Sequence, residues 1–317
     1  MPLLTRNQLL LAKVETIEGT DAEPTAASNA ILSEPVTVNP DISKITSNVV
    51  RASISAAKYR IGRKKIGFNI KVELKGSGAA GTPPEISPLL QACGLKETIV
   101  DTLDSEEVNY KPSSASADQK SATIYFYYDG KLIKGLGCKG NCEIAMTPGE
   151  IATLTFDLQG RHGGESDAAI PSGVVYQDTV PAVVESGGIS IGSFTDGVIS
   201  NLGLSTANEI IDRLDVNSPE GLKGTMIVSR DPSLSMSVEA TTEAVKAWWG
   251  NFTGRIEEAV DVQIGSTTGN IVELTAPKTC ISEGVSSPKD SNGIVTYDLT
   301  CQALENAGDD NYILTFK

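Results

Sequence analysis

One strictly alternating stretch constrains the fold of this chain more than any other feature of its sequence. Its apolar positions are Phe68, Ile70, Val72 and Leu74, and every residue between them is polar. This period of two is typical of a β-strand with one face in a core and the other face exposed. A Gly-rich loop follows, and in residues 85–94 the apolar side chains recur at the i, i+3, i+4, i+7 spacing of a helix. The stretch therefore predicts a strand that leads into a short helix.

The same arrangement occurs a second time, later in the chain. Leu234, Met236 and Val238 alternate with polar residues, and Thr241 and Thr242 then offer an N-cap for a helix. The apolar residues that follow at helical spacing are Val245, Trp248, Trp249 and Phe252. Two successions of strand and helix in one chain indicate an internal duplication.

The duplication predicts which segments correspond. We expect residues 67–75 to match residues 232–240, and residues 86–94 to match residues 242–250 approximately. The predicted fold class is mainly β, with two β-sandwich or barrel units that each carry a short flanking α-helix. The predicted boundaries of these units are residues 1–172 and residues 173–317.

Local composition predicts the connections between the strands. Residues 161–173 are rich in Gly, Ser and Pro and predict a linker between the two units. Residues 99–120 are acidic and then rich in Ser and Ala, which predicts a long exposed connection. Strands are predicted at residues 122–128, 131–136 and 142–146, the first two joined by an Asp-Gly turn.

Charge is distributed unevenly along the chain and limits the partners that the chain can bind. The net charge is −14; residues 1–172 carry 18 Lys and Arg against 20 Asp and Glu, whereas residues 173–317 carry 8 against 20. Binding of nucleic acid requires clustered Lys and Arg side chains that contact the phosphates. The acidic balance therefore argues against a nucleic-acid-binding protein. No run of about 18 apolar residues occurs, so the sequence predicts no membrane-spanning helix.

The residues that could carry chemistry do not form a catalytic constellation in the sequence. Residues 135–140 have the G-x-G-x-x-G spacing of a dinucleotide-binding loop, but a strand pattern follows instead of a helix, which favours a Gly-rich turn. Cys138 and Cys142 lack a second Cys or His pair at zinc-site spacing, and His162 is the only histidine. We therefore expect no catalytic, cofactor-binding or metal-binding residues, and a protein that is not an enzyme. Five cysteines without framework spacing predict reduced, buried thiols and a cytoplasmic folding compartment.

Six segments of the chain carry a resemblance to a known family. They are residues 18–25, 72–78, 88–94, 265–270, 276–278 and 293–297. Together they resemble the tail tube (major tail) proteins of long-tailed bacteriophages, and the resemblance touches most of the chain. It implies a β-sandwich with a flanking helix, sheets joined around a ring, and rings stacked into a hollow tube through which the genome leaves the capsid.

The resemblance also implies the partners of the chain, the first of which is the chain itself. Because such rings contain six sandwich units, two units a chain imply a ring of three chains with pseudo-six-fold symmetry; a ring of six chains is the alternative. The further implied partners are other tail proteins at the ends of the tube. Tape-measure protein and DNA are expected to pass through the lumen without specific binding. The implied location is the virion tail, after assembly in the host cytoplasm.

A second function class is a virion decoration or adhesin-type β-sandwich that binds a carbohydrate or receptor. Trp248 and Trp249 could stack a sugar or a base, although their helical spacing favours packing of one or both in the core. An adhesin is expected to stay discrete and bind glycans, whereas a tube protein is expected to assemble without a ligand.

The tube hypothesis predicts where the charges and the contact residues lie. The candidate residues for subunit or ring interfaces are Lys58, Arg60, Arg63, Lys64, Lys65, Phe68, Ile70, Val72, Leu74, Leu234, Met236 and Val238. A conduit along which DNA slides needs an acidic or neutral lining, because clustered Lys and Arg would hold the phosphates. We therefore expect a net negative inner wall to which both units contribute, with the basic run at the interfaces instead.

Overall fold

A computed structural model describes residue 4 and residues 6–102, 106–185, 187–218, 221–285 and 287–317. The elements of its first half are β1 Gln8–Val14, β2 Ala30–Ile31, β3 Thr37–Thr46, β4 Tyr59–Glu73, α1 Ser87–Ala92, β5 Leu95–Val100, β6 Glu107–Pro112, β7 Ala122–Tyr128, β8 Lys131–Met146 and β9 Thr153–Asp167. Those of its second half are β10 Ile189–Ile191, β11 Ile199–Ser205, β12 Asn208–Leu214, β13 Leu222–Arg230, β14 Ser233–Glu239, α2 Trp248–Gly254, β15 Glu258–Ile264, β16 Val272–Glu283, β17 Lys289–Ser291, β18 Ile294–Ala303 and β19 Ile313–Phe316. The prediction of a mainly β protein is confirmed.

The two halves of the chain pair their strands in the same order. In the first half the antiparallel order is β1–β7–β8–β9–β4–β3. In the second half it is β10–β15–β16–β18–β14–β11, also antiparallel throughout. In each half the helix follows the fifth strand of this order, β4 or β14. The hairpin β5–β6 has no counterpart among the described strands of the second half.

The register of strand pairing also agrees between the two halves. In the long hairpin of the first half, Ile42 lies opposite Lys64. In the second half Asn208 lies opposite Arg230, and both residues of this pair come 166 positions after their counterparts. Beyond these pairs both hairpins contain an irregularity, after which Lys44 faces Ile61 and Ile210 faces Ile227, again 166 positions apart. A bulge is a local feature with a defined place in a strand, so its recurrence at one position aligns the two hairpins residue by residue.

The alternating residues of the sequence lie in the core, as their period predicts. Phe68, Ile70, Val72 and Leu74 of the first half, and Leu234, Met236 and Val238 of the second, are all buried. Burial of each such side chain contributes about 1.5–3 kcal/mol. The predicted match of residues 67–75 with residues 232–240 is wrong by one residue. It would place buried positions opposite exposed ones, because a shift of one residue turns a strand's side chains to its other face.

The two helices meet the predictions differently. Helix α1 forms where helical spacing predicts it, with Pro88 in its first turn, where proline is tolerated. Gly94 just beyond it has a φ of +80° that glycine adopts without strain. Helix α2 begins at Trp248, later than the predicted N-cap. The chain first turns at Thr242, whose carbonyl accepts hydrogen bonds from the backbone N–H groups of Val245 and Lys246. The predicted match of residues 86–94 with residues 242–250 is therefore displaced.

Several predicted connections are strands in the structure. Residues 161–167 of the predicted linker continue β9, which pairs with β8 as far as Asp167. Residues 131–146, predicted as two strands, form the single strand β8, with irregularities in its pairing near the Gly-rich segment. The predicted exposed connection at 99–120 contains β6, in which Val108 and Tyr110 are fully buried; its residues 103–105 lie outside the described residues.

Among the described residues, two pairings between the strands named above join the halves of the chain. The end of β8 pairs with β11, with Met146 opposite Leu202. Strand β19 lies between β16 and β6, and it brings the ring of Phe316 edge-on to the ring of Tyr110 at 5.7 Å. One cluster of buried apolar residues therefore extends through both halves. Neither helix of the described residues has the length and apolar character needed to cross a bilayer.

Candidate assembly surface

The hairpin β12–β13 of the second half lies across the first half of the same chain. At its base the hydroxyl oxygen of Thr206 accepts a hydrogen bond from the backbone N–H of Cys142 at 3.0 Å. The side-chain amide of Asn208 donates to the carbonyls of Cys93 at 2.9 Å and Gly140 at 3.0 Å. These bonds pair polar groups at the boundary between the halves and fix the direction in which the hairpin leaves β11.

The second strand of this hairpin packs its inner face on the first half. Thr225 is 0% exposed and donates from its hydroxyl to the carbonyl of Gly137 at 3.2 Å. Ile227 is 6% exposed and lies against Gly94, where an added Cβ would come within 2.9 Å of the isoleucine Cδ1. A larger residue there would displace the end of the Ile227 side chain, so Ile227 and the end of α1 fit closely.

Opposite charges hold the outer part of the same hairpin. The carboxylate of Asp212 lies 3.1 Å from Nη1 of Arg63 and 2.8 Å from Nζ of Lys65. Lys65 also donates to Oε1 of Gln159 at 3.0 Å. Two residues of the basic run predicted to lie at interfaces thus lie at the contact between the halves of one chain.

The outer part of hairpin β3–β4 is not packed on the rest of the chain. Lys58 and Arg60 are exposed, and the apolar side chains between and beside them are exposed as well. Tyr59 is 57% exposed and Ile61 is 50% exposed. The ammonium group of Lys44 lies 5.3 Å from the centre of the Tyr59 ring. Segment 40–65 carries seven basic residues and one acidic residue, so this hairpin is both basic and partly apolar.

The seven apolar interface candidates have a different place from the basic ones. Phe68, Ile70, Val72, Leu74, Leu234, Met236 and Val238 are at most 2% exposed. Their side chains are buried in the core of their own chain and are not available for contact with another subunit in this structure. They build the sheets that present the hairpins, and the interface prediction rests on the basic residues.

A polar face in the second half is uncovered. It consists of Ser233, Ser235, Ser237, Asp298, Thr300 and Gln302, and we call it the serine face. Its members lie opposite one another on β14 and β18, with Ser235 facing Thr300. Asp298 accepts a hydrogen bond from Ser237 at 2.7 Å and pairs with Lys289. Gln302 donates to the carboxylate of Asp231 at 2.7 Å.

The residues that could hold a metal ion are dispersed in the described part of the chain. No cluster of three or more His, Cys, Asp and Glu in that part of the chain could hold a metal ion. All five cysteines are free and buried, and burial raises the pKa of the Cys142 thiol to about 12. His162 lies on β9, and its Nδ1 accepts a hydrogen bond from the backbone N–H of Gly164.

The two tryptophans have different surroundings. Trp248 is buried against Phe194, with the two rings edge-on at 5.8 Å, and its indole N–H donates to Thr241. Trp249 is half exposed and contacts the ring of Phe252 at 6.1 Å. One tryptophan is therefore a core residue, which is one of the outcomes that helical spacing predicts.

Sequence reasoning singled out the basic run but did not predict that hairpin β12–β13 contacts it. Asp212, Thr225 and Ile227 carry no local motif, since their role depends on which surface β12–β13 crosses. The one available signal was the acidic character of segment 206–231, with five acidic and three basic residues, beside the basic segment 40–65.

Comparison with known proteins identifies the family of this chain. A search of curated proteins finds no match. A family profile described as phage tail tube protein matches residues 5–303, nearly the whole chain. That family is a structural one, and its members are components of the virion tail. The resemblance predicted from the sequence is therefore confirmed, and the chain belongs to the phage tail tube protein family.

Proposed function

We propose that copies of this chain assemble into rings and that the rings stack into the hollow tube of a phage tail. The observation that carries this proposal is the recurrence of one strand order and one hairpin register in both halves of the chain. We infer that residues 1–172 and residues 173–317 are two tail-tube units related by internal duplication. One contact between such units is formed inside the chain, and an equivalent surface of each unit is left for a neighbour.

The proposed ring contains three chains. Two units a chain give six units, so the ring has three-fold symmetry and a pseudo-six-fold shape. The contact between the halves joins one face of the first unit to a different face of the second unit. Repeating such a contact closes a ring when the rotation from one unit to the next divides a full turn evenly. The alternative is a ring of six chains in which the second half is outer decoration. A mass measurement distinguishes it from the ring of three chains.

The proposed tube is a conduit for the genome. Duplex DNA carries one phosphate charge per about 1.7 Å of its axis, so a basic lining would hold it along the whole tube. The chain carries a net charge of −14, which supplies an acidic inner wall from both units. Tape-measure protein and DNA then pass without specific binding, and other tail proteins close the ends of the tube.

Negative-stain electron microscopy and native mass spectrometry of the purified chain test the proposal. We expect rings or tubes in the absence of any ligand, and a smallest closed species with the mass of three chains of 33.3 kDa each. A closed species of six chains would overturn the three-chain ring. A chain that stays monomeric at high concentration and binds glycans would sink the tube proposal and favour an adhesin.

Binding of DNA tests the proposed lining separately. We expect fluorescence anisotropy to show no binding of a labelled duplex by assembled tubes at physiological salt. Tight binding that weakens steeply with salt would contradict an acidic lumen, because that slope reports contacts between basic side chains and phosphates.

A further inference from the structure

We propose that Lys246 and Asn251 react with each other in the folded chain to form an amide bond, with Glu258 transferring the protons that the reaction moves. The site lies where the chain enters α2, and the first residue of β15 supplies the carboxylate. The modification requires no second protein and does not depend on how the chain assembles. Its failure would therefore leave the tube proposal standing.

One carboxylate holds the amine and the amide together. Nζ of Lys246 donates hydrogen bonds to Oε1 of Glu258 at 2.6 Å and to Oε2 at 2.7 Å. The side-chain amide of Asn251 donates from Nδ2 to the same Oε2 at 2.9 Å. A nucleophile, an acyl group and a proton-transferring group therefore meet at one oxygen atom, within the distances that general acid–base catalysis requires.

The amine lies in a largely buried site. Lys246 is 7% exposed, and its Nζ also donates to the carbonyl of Ile191 at 3.2 Å. The rings of Trp248 and Phe194 lie 5.5 Å and 5.9 Å from Nζ, measured to the ring centres. Transfer of one proton along the hydrogen bond to Glu258 converts an ion pair into a neutral amine and a neutral acid. A surrounding with little water lowers the free-energy cost of this step, because charged groups are poorly solvated there.

The reaction balances without an oxidant, a reductant or a cofactor. Lys246 gives one proton to Glu258, and the lone pair of the neutral Nζ attacks Cγ of Asn251. The protonated Glu258 then donates to Nδ2 while the bond between Cγ and Nδ2 breaks. Nζ releases a second proton through Glu258 to the departing ammonia, which leaves as an ammonium ion. The structure describes the state before this reaction, with the ion pair intact.

A second buried lysine provides an internal comparison. Lys75 is 5% exposed and lies 3.3 Å from the carboxylate of Glu85, and Gln177 lies beside this pair. Lys75 donates to the backbone carbonyl of Gln177 at 2.7 Å, whereas the side chain of Gln177 accepts through Oε1 from the backbone N–H of Glu85. The amine thus contacts the backbone of Gln177 while the side-chain amide is engaged elsewhere. We expect Lys75 to keep its free amine.

The proposed bond closes a ring across the first turn of α2. This helix has seven residues, and a helix of that length is not stable on its own. Asn251 is its fourth residue, and Lys246 precedes it. A covalent link between them restricts the conformations of this segment in the unfolded chain, so it favours the folded turn.

Intact-mass spectrometry of the full chain tests the reaction. We expect the folded chain to be lighter than its sequence by the mass of one ammonia, either at purification or after incubation at neutral pH. A sample that is unfolded in urea before it has reacted should keep the mass of its sequence, because the three groups no longer meet. A folded chain that keeps the mass of its sequence throughout overturns the proposal.

Peptide mapping of the same sample locates the bond. Trypsin cleaves after lysine only when the side-chain amine is free, so reacted Lys246 should leave the uncleaved peptide 231–255, lighter by one ammonia. Unreacted chain should give peptides 231–246 and 247–255 instead. Cleavage after Lys75 should be normal in both samples. Loss of ammonia together with normal cleavage after Lys246 would place the loss at another site and overturn the bond.

Two variants separate the acyl group from the proton transfer. Asn251→Ser removes the acyl group but retains the ion pair of Lys246 with Glu258, so it should fold and keep the mass of its sequence. Glu258→Gln retains the size of the side chain but cannot transfer the protons, and it should react at least about a hundredfold more slowly. Circular dichroism establishes that each variant is folded. Loss of ammonia from Asn251→Ser overturns the bond, and an unchanged rate in folded Glu258→Gln overturns the role of the carboxylate.

Discussion

Truncation of corresponding isoleucines in the two hairpins should have unequal effects on the stability of the unassembled chain. Ile227 is 6% exposed and lies against the end of α1 at Gly94, whereas its counterpart Ile61 is 50% exposed. Removal of buried methyl groups costs their transfer free energy and a further amount for the cavity that remains. The fully buried range for Ile→Ala is about 2–5 kcal/mol, and Ile227 lies at the edge of a contact that can partly close. We therefore expect Ile227→Ala to lower the free energy of unfolding by about 2–3 kcal/mol.

Ile61→Ala should change the same quantity by no more than about 0.5 kcal/mol, because substitutions at exposed sites rarely do more. Urea unfolding at low protein concentration, followed by tryptophan fluorescence, measures both variants. Trp248 is buried and reports the loss of the core. Ile211→Ala, at an exposed position of β12, is the control within the covered hairpin and should also be nearly neutral. Equal losses for Ile227→Ala and Ile61→Ala would refute the assignment of one hairpin as packed and the other as free.

Three further predictions address the charges and thiols. Lys246→Met should lower the free energy of unfolding by about 3 kcal/mol, because the ammonium lies 2.6 Å from the Glu258 carboxylate in a largely buried site. In thermal unfolding, the double variant Lys246→Met/Glu258→Leu should recover more than half of this loss. No recovery would contradict a charge-based cause. Asp212→Lys should lower the free energy of unfolding by about 1–2 kcal/mol in low salt, because it replaces the ion pairs of Asp212 with Arg63 and Lys65 by like charges. A loss that did not become smaller in about 1 M NaCl would contradict ion pairing. Burial raises the pKa of the Cys142 and Cys301 thiols from 9.0 to about 12, so the folded chain holds these protons more tightly than the unfolded chain. The resulting stability is fully present below pH 9 and is lost as the pH rises towards 12; urea midpoints measured from pH 8 to 11 should fall, and Ellman's reagent should label the native chain slowly at pH 8 but all five thiols in urea.

The amino-acid sequence determined those features that depend on neighbours along the chain. Alternation at Phe68, Ile70 and Val72 identifies both the strand and its buried face, because successive side chains of a strand point to opposite sides. Helical spacing locates α1 in the same local way. The acidic charge balance and the family resemblance are also properties of the sequence. The charge balance argued against a nucleic-acid-binding protein, and the resemblance indicated a structural tail protein before any contact was known.

Local pattern was misleading wherever a distant contact decided the structure. Residues 161–167 read as a linker because they contain two adjacent glycines, yet β8 pairs with them as far as Asp167. There a tertiary contact overrides a weak local preference. Helix α2 begins at Trp248 and not at the N-cap offered by Thr241 and Thr242; before it, Lys246 turns inward to pair with Glu258.

Only part of the candidate interface could be predicted from the sequence. The basic run at Lys58–Lys65 could be recognised from composition, but its division into a part paired with Asp212 and an exposed part around Ile61 could not. Apolar alternation does not reveal whether a buried face belongs to a core or to a subunit contact, because both remove the same side chains from water. The register of the two hairpins decided these assignments, since residues far apart in sequence meet only when the sheets are formed.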